Sequence, residues 1–136
     1  MISKLITDQI LAQALDAHCE ELIRYMLNTS TEFGIVCDTS EIKFDPILPK
    51  DIAKTIKPVA LFMLAGYSFE SAVLNEDSLV FEAGFGSENF GALVEVKIEQ
   101  IIQIAIEDTP IFINVTAGQK NRASAQTVAP SSAERS

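Results

Sequence analysis

Residues 79–98 read LVFEAGFGSENFGALVEVKI, and this stretch decides the fold class of the 136-residue chain. Within 79–85, and again within 92–98, every second position is apolar, so one face of each arm is consistently hydrophobic. Successive side chains of a strand point to opposite faces, and each arm therefore predicts a half-buried strand. The glycine-bearing connection over 84–91 joins the two arms and predicts a β-hairpin.

Shorter apolar segments on both sides of this hairpin predict further strands. They lie at residues 34–38, 41–44, 59–65, 71–74, 101–106 and 110–115, with turns at 75–77 and 107–109. Residues 45–58 contain three prolines and predict a connection, with one helical turn at 51–56. One helix followed by this many short strands predicts an α+β fold that is mostly β.

The N-terminal segment predicts an amphipathic helix over residues 7–28, with Thr7 as its cap. Apolar residues recur there at spacings of three and four, which places them on one wide stripe. Because the β body that follows should already be nearly closed, we predict that this stripe forms a homodimer. The residues expected at that dimer interface are Leu11, Leu15, Leu22 and Met26.

The chain is predicted to hold one domain over residues 1–116 and a disordered tail over residues 117–136. The tail is mostly small and polar, with Val128 as its only large aliphatic residue, so it has almost nothing to bury. The net charge of −9 divides into −11 for the domain and +2 for the tail. An acidic domain repels nucleic acid and anionic membranes, so neither is expected as a partner and protein partners are favoured.

Composition also bears on the compartment. The longest apolar run is far shorter than the ~20 residues that a membrane span needs, and the N-terminus lacks the pattern of a secretory signal. Cys19 and Cys37 are too few for a disulfide framework or a zinc site. They are predicted to be free, buried thiols in a reducing cytosol, which makes the protein cytoplasmic.

Three motifs invite a chemical interpretation, and each favours a simpler one. The glycines of 84–91 precede a strand, whereas a phosphate-binding loop opens a helix. Residues 66–70 lack the last glycine of a nucleophile elbow, and the sole histidine, His18, precedes Ser68 in an arrangement unlike a catalytic triad. His18 and Glu21 have the spacing of a metal-ligand pair, but no second such motif exists, so His18 is expected at a helix contact surface. We therefore predict no catalytic residue, no metal site and no cofactor.

Aromatic residues crowd the two turns beside the central predicted strands, at Tyr67, Phe69, Phe85 and Phe90. Core packing accounts for some of them. A strand edge beside an aromatic-lined groove is also how β-rich modules bind extended peptides. The pattern therefore favours a peptide-binding module.

The order of these segments resembles that of the SspB family, adaptors that deliver tagged proteins to the ClpXP protease. The resemblance covers residues 8 to 115, through the helix, Leu48-Pro49, 59–65, 75–77, 79–86, 96–98 and 101–106. The chain departs from the family pattern at three places. Phe85-Gly86-Ser87 stands where the family has Phe-Gly-Gly, Lys97 replaces a proline, and the tail lacks the hydrophobic-basic end that docks on ClpX.

The resemblance implies an open Sm-like, SspB-like β-barrel that dimerises through its N-terminal helix. It also implies a non-enzymatic adaptor with a groove for ssrA-like tag peptides, and ClpX as a further partner. The groove positions match the part of the family pattern where the tag lies, and several carry small side chains that let a second backbone approach. They are Leu64, Ala65, Gly66, Tyr67, Phe81, Glu82, Ala83 and Gly84.

Other functions remain open from the sequence. A generic interaction or assembly module of the same fold, with a different ligand, shares every feature above. A small-molecule-binding enzyme or carrier would instead show a deep pocket with convergent polar groups. An RNA-binding Sm-like domain is disfavoured because the body lacks a basic stripe. Two possibilities also remain for the tail: it docks on ClpX through residues 127–130, or the protein does not tether to ClpX.

Overall fold

One long helix and eight strands make up most of the computed structural model, which describes residues 2–118. The helical elements are α1 (Ile2–Leu5), α2 (Gln9–Asn28), α3 (Lys50–Ala53), α4 (Tyr67–Glu70) and a 3₁₀ turn at Ile98–Gln100. The strands are β1 (Phe33–Asp38), β2 (Lys43–Asp45), β3 (Val59–Leu64), β4 (Val73–Leu74), β5 (Ser78–Phe85), β6 (Phe90–Lys97), β7 (Ile101–Ile106) and β8 (Thr109–Ile113). The predicted α+β, mostly-β fold class is confirmed.

The strands form two four-stranded antiparallel sheets. Sheet A has the order β3-β1-β7-β8, and sheet B has the order β2-β6-β5-β4. The predicted hairpin is present as β5 and β6, which pair continuously from Ser78↔Lys97 to Phe85↔Phe90. Its turn is therefore shorter than the sequence suggested and spans only residues 86–89.

The predicted barrel is not supported, because neither sheet closes on itself within residues 2–118. β4 is only two residues long and pairs with Leu79 and Val80, so it leaves the rest of β5 without a strand on that side. β3 pairs with β1 alone, which makes it an edge of sheet A. The fold is therefore open, and β3 and the second half of β5 are two of its free strand edges.

Helix α2 closes the core that lies between the two sheets. Its residues Cys19, Ile23 and Met26 are fully buried in one cluster with inward side chains of both sheets. The predicted free, buried state of Cys19 and Cys37 is confirmed. Burial, and then the nearby Asp38 carboxylate, raise the pKa of Cys37 to about 12, and burial raises the pKa of Cys19 further. Both thiols are therefore protonated and unreactive near neutral pH.

The cap of α2 differs from the prediction. Asp8, not Thr7, is the N-cap residue: its backbone is extended and its Oδ1 accepts a hydrogen bond from the Leu11 N–H at 2.9 Å. Thr7 instead donates its hydroxyl hydrogen to the Lys4 carbonyl at 3.3 Å, at the end of α1, a short helix that the sequence analysis did not predict. A carboxylate at the N-cap satisfies a free N–H and also suits the positive end of the helix dipole.

Asp8→Ala is expected to lower the free energy of unfolding by about 1 kcal/mol, because a backbone donor of the first turn loses its acceptor. Urea unfolding followed by circular dichroism measures this change. Thr7→Ala is the matched control and should change stability by less than about 0.5 kcal/mol. The reverse order of the two effects would contradict this assignment of the cap.

Several predicted boundaries are shifted. The strand predicted at 71–74 is reduced to Val73–Leu74, because Ser71 ends the unpredicted helix α4 through its N–H bond to the Tyr67 carbonyl at 2.9 Å. β2 begins two residues later than predicted, and the helical turn of the connection covers Lys50–Ala53 directly after Pro49. Pro49 is the N-cap residue of this turn, and its carbonyl accepts hydrogen bonds from the N–H groups of Ile52 at 3.0 Å and Ala53 at 2.8 Å.

The first two residues assigned to the tail are part of the ordered turn that follows β8. Ala117 is buried, and the Gly118 N–H donates to the Glu99 carbonyl at 3.1 Å. The remainder of the predicted disordered tail lies outside the described residues. Among the described helices, none combines the length and the hydropathy required to cross a lipid bilayer.

Candidate functional site

The outer edge of β3 offers unpaired backbone groups along its length. The Thr39 N–H bonds to the Pro58 carbonyl at 2.9 Å, so Pro58 and every second residue after it turn their polar backbone groups toward β1. The N–H and C=O groups of Val59, Leu61 and Met63 therefore point away from the sheet. These three alternate residues leave their backbone donors and acceptors available, so another strand can pair with this edge.

The edge of β5 faces the same space from sheet B. Two serines of the α4 segment bond to it at one residue: Ser71 Oγ accepts from the Glu82 N–H at 2.9 Å, and Ser68 Oγ donates to the Glu82 carbonyl at 2.7 Å. The backbone of Gly84, two residues further along, points the same way and lies past these serines. Beyond the short strand β4, the two serine hydroxyls therefore take the place of a neighbouring strand at Glu82.

A cavity of about 500 Å³ lies between these two edges, and we call it the edge groove. One wall is β3, the other is the second half of β5, and residues 55–57 close one end. Three phenylalanines form its aromatic wall. The ring centroid of Phe62 lies 5.8 Å from that of Phe81 and 6.4 Å from that of Phe85, both in edge-to-face packing. Phe44 packs behind Phe85 at 5.6 Å. The groove therefore combines apolar side chains with polar backbone groups along its two strand edges.

A second cavity of about 370 Å³ continues past β5 and shares Ser68, Ala83 and Gly84 with the edge groove. Tyr67, which is 65% exposed, stands at its wall. A third cavity of about 550 Å³ extends beyond the end of β3 and includes Gly66. The three spaces follow the two strand edges.

The structure brings together most of the residues predicted for a peptide site. Five of them line the second cavity, namely Ala65, Tyr67, Glu82, Ala83 and Gly84. Phe81 lines the edge groove, although its side chain is almost wholly part of the core. Gly66 lies in the third cavity, in the left-handed region at φ 56°, and its N–H donates to Glu32 Oε2 at 2.8 Å. Leu64 is fully buried and lines none of these three cavities, so it supports the site from behind.

Charge changes sign along the site. Lys57 lines the edge groove at the end closed by residues 55–57. Glu32, Glu70 and Glu107 line the third cavity, beyond the opposite end of β3. A bound chain with an acidic group near Lys57 and a basic group near the glutamates would match this arrangement.

The helix residues predicted for a dimer interface face the protomer's own core to different degrees. Met26 is fully buried, and Leu15 and Leu22 are half-buried against the core cluster. Leu11 is half-buried near the start of α2. Much of the stripe therefore covers the β body, and a contact between two α2 helices stays a prediction.

The motifs considered for catalysis have structural contacts. His18 is largely exposed, and its ring packs at 5.5 Å from Phe112, with Nδ1 at 3.9 Å from Glu21 Oε1. Ser68 is bonded to the β5 backbone. Across residues 2–118, no three His, Cys, Asp or Glu side chains are grouped as metal ligands. The arrangement is suited to holding an extended chain by backbone hydrogen bonds and apolar contacts.

Sequence reasoning missed the free edge of β3 and the two serines that block β5. The sequence shows residues 59–65 as one continuous apolar run. It could not show which neighbour the strand would lack, because pairing depends on distant segments. Ser68 and Ser71 carried no recognisable signal.

Comparison with models of protein families gives no match for this chain. Comparison with curated proteins gives no significant match either.

Proposed function

We propose that the protein is a non-enzymatic adaptor that binds an extended peptide in the edge groove, as an SspB-like protein binds a degradation tag. In this proposal the ligand is an ssrA-like tag peptide at the end of a substrate protein, and the adaptor delivers it to the ClpXP protease in the cytoplasm. The proposal rests on the resemblance in segment order and on the groove between β3 and β5.

The free edge of β3 is the observation that carries the proposal. Val59, Leu61 and Met63 present backbone donors and acceptors to the groove, and phenylalanine rings line the space beside them. A peptide strand added there would gain main-chain hydrogen bonds, and its alternate side chains would enter the groove. An adaptor needs no chemistry of its own, since holding substrate and protease together raises their local concentration.

Binding of a fluorescent ssrA-like peptide to the full chain, measured by anisotropy, tests the ligand. The control is a peptide of the same composition in scrambled order. Saturable binding of the tag and not of the control supports the proposal. Equal binding of both peptides would favour the generic interaction module with a different ligand, and binding of neither would remove the tag from consideration.

Leu61→Pro is expected to weaken peptide binding by about 10-fold or more while the protein stays folded. Proline removes the Leu61 N–H, which points away from β1, so the sheet keeps its own hydrogen bonds and only the free edge loses a donor. Leu61→Ala is the matched control because it shortens the side chain and keeps the donor. If both variants lost affinity equally, the peptide would be held by side chains and not as an added strand.

Delivery is tested separately from binding, by following the degradation of a tagged substrate by ClpXP. The full chain is compared with a version that ends at Gly118, which keeps every described residue. Stimulation that is lost on truncation, with peptide affinity intact, supports a tether in residues 119–136. Stimulation by neither version, with peptide binding present, would limit the function to peptide capture.

A further inference from the structure

The outer face of sheet A is mostly apolar, with Asp38 and Gln103 as the polar residues that the register places on it. Residues that are paired in an antiparallel sheet share a face, so the register places Val59, Leu61 and Met63 of β3 beside Gly34 and Val36 of β1. The same face continues through Gln103 and Ala105 of β7 to Ile113 of β8. Helix α4 directly follows β3 and approaches it, and its Phe69 ring packs at 6.2 Å from Phe33, which lies on the opposite, buried face of the sheet.

Exposure of this outer face is high for aliphatic side chains. Leu61 is 60% exposed, Ile113 57%, Met63 56% and Val59 48%. The face is also flat in its middle, because Gly34 has no side chain and Met63 lies over it, with its sulfur 2.9 Å from the place of a Cβ atom. A flat apolar face of this kind packs well against another sheet.

The outer face is almost without charge, although the described domain is strongly acidic. Asp38, beside Val59 at one end, is its one charged member among the residues that the register places there. The exposed side of α2 differs, since Ile10 and Tyr25 are accompanied there by Glu21 and Arg24. Two copies of an acidic protein repel each other least where neither carries charge, so the outer face is where they can meet.

We propose that two copies of the chain associate through the outer faces of sheet A. A specific interface buries about 1,000 Å² or more in total, which is roughly 500 Å² per protomer, and the four exposed aliphatic side chains supply the apolar part of such a contact. The sheets pack face to face at about 10 Å, with their strands inclined by about 30°. Leu61 and Met63 on β3 and Ile113 on β8 supply the apolar contacts at the two sides of this interface.

This arrangement places two peptide grooves close to one interface. β3 contributes its side chains to the dimer contact and its free backbone edge to the groove. Two tags on one assembled substrate could then bind at the same time, which raises the overall affinity without any new contact. The dimer contact itself does not depend on the identity of the peptide.

Sedimentation velocity of the full chain over a range of concentrations tests the proposal. We expect a dimer for the wild type, and we expect Leu61→Lys and Ile113→Lys, at opposite edges of the face, each to raise the dimer Kd about 100-fold or more, because each buries two unpaired charges. Leu93→Lys is the matched control: Leu93 is 41% exposed, lies on sheet B, and should leave the dimer intact. Circular dichroism checks that all variants fold.

Three results would overturn the proposal. The first is a wild-type protein that stays monomeric at every concentration, which would leave this face to a different partner. The second is a dimer that survives both Leu61→Lys and Ile113→Lys. The third is a dimer that dissociates with Tyr25→Lys on α2 but not with Leu61→Lys, which would place the contact on the helix instead.

Discussion

Ala83→Trp is expected to weaken binding of a degradation-tag peptide by about 100-fold or more, the largest effect on affinity that a single change should produce. Ala83 lies on β5, is half-buried, and lines both the edge groove and the cavity beside Tyr67. An indole at this position extends into the space where the two cavities join and fills it. Fluorescence anisotropy measures the affinity, and thermal unfolding measures the accompanying change in stability.

Two further variants separate blocking of the groove from damage to the fold. Leu93→Trp adds the same side chain to the neighbouring strand, opposite Glu82, at a position that lines none of the three cavities, and should leave the affinity unchanged. Ala65→Trp blocks the Tyr67 cavity from its other wall, at an exposed residue where folding is not at risk. A folded Ala83→Trp protein with wild-type affinity would remove this part of the groove from the peptide path.

Phe81→Ala is expected to have the largest effect on stability, a loss of about 4 kcal/mol in the free energy of unfolding. Phe81 is fully buried, packs edge-to-face against Phe62, and lies at the centre of the hairpin strand that holds sheet B together. Removing its ring takes away apolar contacts and leaves a void that a strand paired along its whole length cannot collapse. Thermal unfolding should show a midpoint lower by roughly 10 °C or more.

The control for this variant is Leu93→Ala, on the partner strand β6. Leu93 is partly exposed and faces outward, so its truncation should cost no more than about 1 kcal/mol. If Phe81→Ala were as mild as Leu93→Ala, the ring would be a wall of the groove and not part of the core. Phe81 and Ala83 are two residues apart on one strand, and the contrast between them marks where the core ends and the groove begins.

The hairpin was predictable from sequence because its signal is local. Each arm has an apolar residue at every second position, which is the period of a strand. These residues are Leu79, Phe81 and Ala83 in the first arm and Ala92, Val94 and Val96 in the second. The register confirms that these residues share the inner face, with Phe81 opposite Val94 and Ala83 opposite Ala92. The long helix was predictable for the same reason, from its three- and four-residue spacing.

The helix cap was not predictable in the same way. Thr7 and Asp8 are both residue types favoured at an N-cap, and sequence offers no means of choosing between neighbours. In the structure Asp8 is the cap, because the Thr7 hydroxyl is already bonded to the Lys4 carbonyl of α1 while Asp8 Oδ1 accepts from the Leu11 N–H. α4 escaped prediction too, since four residues are too few to show a helical period.

By itself, the sequence determined the class of each long element, the apolar face of the hairpin and the existence of an apolar stripe on α2, but not that much of this stripe covers the core. The tertiary structure alone decided how the strands divide into two sheets, and which edges they leave free. Leu61 illustrates the difference: its sequence neighbourhood predicts a strand, but only pairing of β3 with β1, more than twenty residues away, turns its backbone toward a groove and its side chain toward an outer face. Sequence periodicity shows which side of an element is apolar. Strand pairing instead joins distant segments of the chain, and the groove lies where the pairing of β3 and of β5 ends.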